Sequence, residues 1–238
     1  SNATPNITVN DETICSGETA TLSAQGYSGG VGSYLWNPGN LSGNPVNVSP
    51  GTTTTYSVTF TLNGCSETEE ATVTVNNAPD INIVDYTICT GESASLSASG
   101  GGSGTYAWEP GSLSGNPVSV TPGSTTTYTV TYTENGCSDE EETTVTVNTP
   151  PDISIVDYTI CTGESASLSA SGGGGGTYAW EPGSLSGNPV SVTPGSTTTY
   201  TVTYTENGCS DEEETTVTVN TPPDLSLIHI SEPTRRYL

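Results

Sequence analysis

The chain repeats itself. Trp36, Trp108 and Trp180 stand 72 residues apart, as do Cys65, Cys137 and Cys209. Residues 80–151 and 152–223 differ only at Asn82/Ser154 and Ser103/Gly175. A fixed period of this kind means that each copy is one structural unit, stacked or strung beside the next. The 238 residues therefore divide into three repeats, 6–77, 78–149 and 150–221. Residues 1–5 read as a cleavage scar or a linker, and 222–238 as a linker followed by a tail that leaves the pattern. A unit of about 72 residues buries only about 60% of the surface its unfolded chain exposes. Its core alone is marginal, so a covalent staple is expected.

Within each repeat the pattern is that of strands. In the middle copy Tyr128, Val130 and Tyr132 alternate with Thr127, Thr129, Thr131 and Thr133, which puts the two sets on opposite faces. Asn135-Gly136 then predicts a two-residue hairpin turn, because both central positions need positive φ. Upstream, Ile81 and Ile83 share one parity and Val84, Tyr86 and Ile88 the other. Such a change predicts a bulge or a crossing from one sheet to its partner. Ala94, Leu96 and Ala98 mark another strand, Tyr106 and Trp108 a third, and Val118 with Val120 a short fourth. Pro110-Gly111 and Pro122-Gly123 read as turns with Gly in the left-handed position. Pro-containing junctions, Asn77-Ala78-Pro79, Pro150-Pro151 and Pro222-Pro223, separate the copies. The fold class expected is all-β: three tandem sandwiches of about seven short strands each.

Each repeat carries two cysteines: Cys15 and Cys65, Cys89 and Cys137, Cys161 and Cys209. Spacing alone does not fix connectivity. A complete pair in every copy nevertheless favours one bond inside each repeat, closing about 48 residues and contributing roughly 4 kcal/mol on the chain-entropy model. Disulfides imply an oxidising, extracellular or cell-surface location. There are 26 acidic residues and two basic ones, and the latter are Arg235 and Arg236, so residues 1–234 contain no Lys or Arg. Nucleic-acid binding needs cations against phosphate and is excluded; the same charge disfavours anionic membranes, and no apolar run is long enough to span one. No secretory leader opens the sequence, so a longer precursor is expected.

The pattern Ile88-Cys89-Thr90-Gly91-Glu92-Ser93, then Tyr106-Ala107-Trp108-Glu109-Pro110-Gly111, then Thr125-Thr126-Thr127-Tyr128 and Asn135-Gly136-Cys137 resembles the immunoglobulin-like, PKD-like tandem repeats of Bacteroidota secreted adhesins and gliding-motility-associated surface proteins. The resemblance covers residues 6–223. It implies an immunoglobulin-like sandwich, secretion, and a spacer or adhesive role without catalytic residues. Tyr128, following Pro122-Gly123, resembles the tyrosine corner of such folds. One departure is visible: Cys89 precedes a turn and Cys137 follows one, so the bond should pin a pole of the unit rather than cross its middle.

Candidate chemistry is sparse. The repeats contain no His, Lys or Arg, which leaves carboxylates and tyrosines for acid–base work, and no enzyme is expected. No cofactor is implied. Calcium has candidate ligands in Asp80, Asp139, Glu140, Asp152, Asp211 and Glu212, but a strand scatters its carboxylates over two faces and no EF-hand loop is present. Trp36, Trp108 and Trp180, with Tyr56, Tyr128 and Tyr200, are expected in the cores. A sugar platform from Tyr106, Trp108 and Tyr132 is the alternative for some of these aromatics. The expected function is a structural stalk or fibre that sets reach and presents a binding tip. The alternatives are a subunit of a filament that self-assembles by strand exchange, and a carbohydrate-binding module. Expected partners are further repeats or copies of the chain itself, and surface glycans or proteins. The tail from Leu225 to Arg235 is similar to one reading frame of a sequencing-library adapter, whereas Asp224 to Ile228 parallels Asp152 to Val156 as the opening of a fourth repeat.

Overall fold

The computed structural model describes residues 5–26 and 31–223; the tail lies outside them. Period-2 alternation of β-branched and aromatic residues with threonine gives strands throughout, in the order set by the turns. The first repeat contains β1 (Thr8–Val9), β2 (Glu12–Cys15), β3 (Ala20–Leu22), β4 (Ala24–Gln25), β5 (Ser33–Asn37), β6 (Leu41–Ser42), β7 (Val46–Val48), β8 (Thr54–Leu62) and β9 (Cys65–Asn76). The second contains β10 (Tyr86–Cys89), β11 (Ala94–Leu96), β12 (Thr105–Glu109), β13 (Leu113–Ser114), β14 (Val118–Val120), β15 (Thr126–Glu134) and β16 (Cys137–Asn148). The third contains β17 (Tyr158–Cys161), β18 (Ala166–Leu168), β19 (Thr177–Glu181), β20 (Leu185–Ser186), β21 (Val190–Val192), β22 (Thr198–Glu206) and β23 (Cys209–Asn220).

Every repeat builds the same two layers. One is a five-stranded sheet, ordered β2-β9-β8-β5-β6 in the first copy, β10-β16-β15-β12-β13 in the second and β17-β23-β22-β19-β20 in the third. The other layer is smaller: β3 with β7, β11 with β14, and β18 with β21. The opening segment joins this second layer first, as β1 with β4 or as the bridges Asn82↔Ser99 and Ser154↔Ser171. It then crosses to the edge of the large sheet, which is what the change of parity between Ile83 and Val84 encodes. At that edge it pairs in parallel, with Glu12↔Val73 through Cys15↔Asn76 and Tyr158↔Val217 through Cys161↔Asn220.

The layers close over fully buried Trp36, Trp108 and Trp180, with Tyr56, Tyr128 and Tyr200 buried alongside. The indole of Trp108 donates to the Gly115 carbonyl (2.8 Å), so the polar end of a buried ring is satisfied. The next residue, Asn116, works as a clamp: its Oδ1 accepts from the Ala98 N–H (2.9 Å) and its Nδ2 donates to the Ala98 carbonyl (2.7 Å). Asn44 on Ala24 and Asn188 on Ala170 repeat the arrangement. Where the ladder between strands runs out, a side-chain amide replaces it. Gly111 takes the left-handed conformation expected of it (φ 114°). Gly123 does not, and the Pro122-Gly123 turn is made without a positive φ.

The described residues form two compact units, one drawn from 5–86 and 93–146, the other from 87–92 and 147–223. The first repeat and most of the second belong to the former. The short segment carrying Cys89 groups with the third repeat.

Candidate functional site

The feature that distinguishes this chain from a plain string of sandwiches lies at the poles of its repeats. At one pole is the hairpin tip. Asn135 (φ 53°) and Gly136 (φ 82°) make the turn between β15 and β16, and Glu134 pairs with Cys137 across its base. Asn63-Gly64 and Asn207-Gly208 adopt the same conformation, with both residues at positive φ. Each tip therefore presents a Cys immediately after a rigid turn.

At the other pole the opening strand ends in its own Cys. Cys15 closes β2, and the chain turns at Gly17 (φ 91°), bringing the Glu18 carboxylate back onto the Cys15 N–H (2.8 Å) while the Glu18 N–H donates to the Cys15 carbonyl (3.0 Å). Glu92 holds Cys89 and Glu164 holds Cys161 in the same way. This reciprocal closure accounts for the Cys-x-Gly-Glu motif of the sequence.

The bonds join one pole to the other across repeats. Cys15 is bonded to Cys137 (Cα–Cα 5.7 Å, separation 122 residues) and Cys89 to Cys209 (5.7 Å, 120 residues). The expectation of one disulfide inside each repeat is therefore wrong. The parallel pairing of β2 with β9 explains why. It aligns Cys15 with Asn76, the last residue of β9, whereas Cys65 is the first residue of that 12-residue strand. Eleven steps at about 3.3 Å separate the two cysteines by roughly 35 Å, while a disulfide tolerates a Cα separation of about 7 Å at most. The two cysteines of one repeat cannot meet. The first Cys of the first repeat instead meets the second Cys of the second, and the first Cys of the second repeat meets the second Cys of the third.

Hydrogen bonds reinforce each junction. In the first unit the Asn76 amide donates to the Asn135 carbonyl (2.9 Å), and Gly136 places its carbonyl 3.7 Å from the Cys15 sulfur. In the second, Asn148 donates to the Asn207 carbonyl (2.9 Å) and the Gly208 carbonyl lies 3.7 Å from the Cys89 sulfur. Asn76 and Asn148 were not singled out from sequence; the signal was their fixed place at the end of the last strand of a repeat. Cys65 and Cys161 remain free, the first half-buried and the second exposed.

The other candidates are placed as follows. Asp139 and Asp211 accept from the N–H groups of Ile81 (2.9 Å) and Ile153 (3.0 Å), and Glu140 and Glu212 accept from the hydroxyls of Thr131 (3.0 Å) and Thr203 (2.9 Å). Asp80 and Asp152 are exposed. Among the described residues no three His, Cys, Asp or Glu side chains converge as a metal site would require. Trp108 and Tyr132 are fully buried, and the Tyr132 hydroxyl accepts from the N–H groups of Gly102 (2.7 Å) and Gly104 (2.8 Å), so neither ring offers a face to a sugar. Ser103 spends its N–H and hydroxyl on Glu134, both at 2.9 Å, and chiefly its N–H holds that carboxyl below its ordinary value.

No protein-family model matches the chain, and no curated protein matches it. Among solved structures it is similar to the I67–I69 fragment of titin, at 12% identity and a TM-score of 0.48, covering 92% of this chain and 100% of that one. It is also similar to an E-to-A variant of that fragment (12%, TM-score 0.47, 90% and 97% covered). Domains 3–5 of Drosophila OTK align at 12% and a TM-score of 0.37, covering 89% of this chain and 95% of that one. None of these scores reaches 0.5, and no functional reading rests on them. The layers, the buried Trp and the strand order describe three tandem immunoglobulin-like β-sandwiches tied by two disulfides.

Proposed function

We propose that this chain is a non-catalytic, load-bearing stretch of an extracellular bacterial adhesin, stalk or fibre, in which copy number sets reach. The observation that carries the reading is the pair of bonds between successive repeats. They change the route by which tension crosses the molecule. Force entering at residue 5 reaches Cys15, passes to Cys137, runs back along the chain to Cys89, and leaves through Cys209. Residues 16–88 and 138–208 are bypassed even when their sandwiches unfold. Such a connection limits extension without any gain in core size, which suits units this small. Disulfides and the absence of cations from residues 1–234 suit an oxidising, extracellular setting.

Pulling the chain from residues 5 and 223 in single-molecule force spectroscopy tests this reading. The oxidised chain is expected to reach roughly a third of the contour length of the reduced chain, at about 3.5 Å per residue in the load path. Equal lengths before and after reduction would refute it.

A further inference from the structure

We propose that the second and third repeats each carry a binding groove for a neutral sugar unit, built on Tyr106 and on Tyr178. The groove owes nothing to the junctions, so the proposal goes beyond the load-bearing reading and stands apart from it. Register fixes the floor: Tyr106 on β12 pairs with Tyr132 on β15, and the two rings lie tilted with centroids 4.6 Å apart. What is left to each ring differs. Tyr132 is fully buried, and its hydroxyl accepts from the N–H groups of Gly102 and Gly104. Tyr106 is half-buried, and among the described residues its hydroxyl finds no partner; nor do those of Thr105 and Ser114.

A cavity of about 510 Å³ opens on this ring, walled by Gly102, Gly104 and Thr105 and by Ser114, Gly115 and Asn116. The equivalent positions of the third repeat, Tyr178 among them, line one of about 530 Å³. Both volumes suit a small ligand. Glycine shapes the walls. A Cβ at Gly101 would collide with the Tyr106 hydroxyl and one at Gly104 with the Tyr132 ring, whereas one at Gly115 would meet nothing within 4 Å. The loop is thus drawn onto the rings while the space beside Gly115 stays open.

Chemistry selects the occupant. The free hydroxyls both donate and accept, which matches a sugar's own hydroxyls, and the ring takes its apolar C–H face. An anion is disfavoured by the formal net charge of −24 and finds no Lys or Arg in residues 1–234. A cation finds no carboxylate among the lining residues, and the Glu134 carboxylate beside Gly102 already accepts both bonds from Ser103.

Calorimetric titration of the full chain tests this. The probes are neutral tetrasaccharides of glucose, mannose, galactose and N-acetylglucosamine, with tetrasaccharides of galacturonic acid (anionic) and glucosamine (cationic) beside them. At least one neutral probe should bind with a Kd on the order of 1 mM, and both charged probes about tenfold more weakly. Ser114→Leu fills the groove from an exposed position whose backbone pairing with Ala107 is kept. It should remove one bound probe per chain, and together with Ser186→Leu two, with Tm unchanged. Tyr106→Phe with Tyr178→Phe keeps both rings and should weaken binding about three- to tenfold, for one lost hydrogen bond at each site. Absence of binding by every neutral probe would overturn the proposal. So would a charged probe that binds as tightly, or a stoichiometry untouched by the Ser114 and Ser186 pair. If the leucine variants fail to fold, the phenylalanine pair decides, and an unchanged Kd there would overturn it. None of these failures alters the extension measured before and after reduction, so the load-bearing reading is judged separately.

Discussion

The hairpin tips of the first and second repeats are nearly one structure in two circumstances. Asn63-Gly64-Cys65 and Asn135-Gly136-Cys137 share their turn, their register and their place between the two longest strands. Yet Cys137 is buried and bonded whereas Cys65 is half-buried and free. The difference teaches that the tip geometry belongs to the repeat and its burial belongs to the neighbour. Turn chemistry is local, because two residues at positive φ suffice to set it. A disulfide is a tertiary fact, and it needs a second pole brought within about 7 Å.

The sharpest way to break the comparison is to make the same substitution at both tips. Cys137→Ser removes the Cys15–Cys137 bond, which closes a loop with a sequence separation of 122. The chain-entropy ceiling for such a loop is about 5 kcal/mol, and losses of 2–4 kcal/mol are typical. Denaturant unfolding should show a loss in that range for the first unit, whereas Cys65→Ser should leave its stability unchanged. Equal effects at the two positions would mean that the tips are equivalent.

A smaller effect is expected where the repeats differ behind the tip. Thr143 is buried and donates its hydroxyl to the Val84 carbonyl (2.7 Å), while the first repeat has buried Ala71 in the same register against Tyr56. Thr143→Val keeps the volume and removes the donor, and should cost about 1 kcal/mol by urea titration. No measurable change would show that the bond is replaced by water.

The smallest effect lies in the loop beside Tyr132. Glu134 accepts two bonds from Ser103, whereas Glu206 accepts one from the Gly175 N–H (2.9 Å). The Ser103 bonds depress the Glu134 carboxyl below its ordinary value of 4.5. A depressed carboxyl contributes stability that is present above pH 4.5 and is lost as pH falls through its folded value. Ser103→Gly should therefore lower Tm slightly at pH 7, and the two proteins should converge near pH 3. A gap that persists at pH 3 would assign the effect to the loop backbone instead.

Much of this was legible in the chain. The period of 72, the alternation around Tyr128, the Asn-Gly turns and the crossing marked by parity at Ile83 and Val84 are all local signals, and each corresponds to an observed element. What was not legible is the parallel pairing of β2 with β9. Nothing in Glu12–Cys15 says which way its neighbour runs. The register matters as much as the direction: these four residues lie along Val73 to Asn76, the end of β9 remote from Cys65, and no local signal in the opening segment fixes that place. The Asn116 clamp escaped for a related reason, since it replaces a strand ladder whose end is set only once the layers pack.

Disulfide mapping of the purified, alkylated chain under non-reducing conditions tests the central claim most directly. The account predicts cross-linked peptides joining Cys15 to Cys137 and Cys89 to Cys209. Peptides joining Cys15 to Cys65, Cys89 to Cys137 or Cys161 to Cys209 would contradict it.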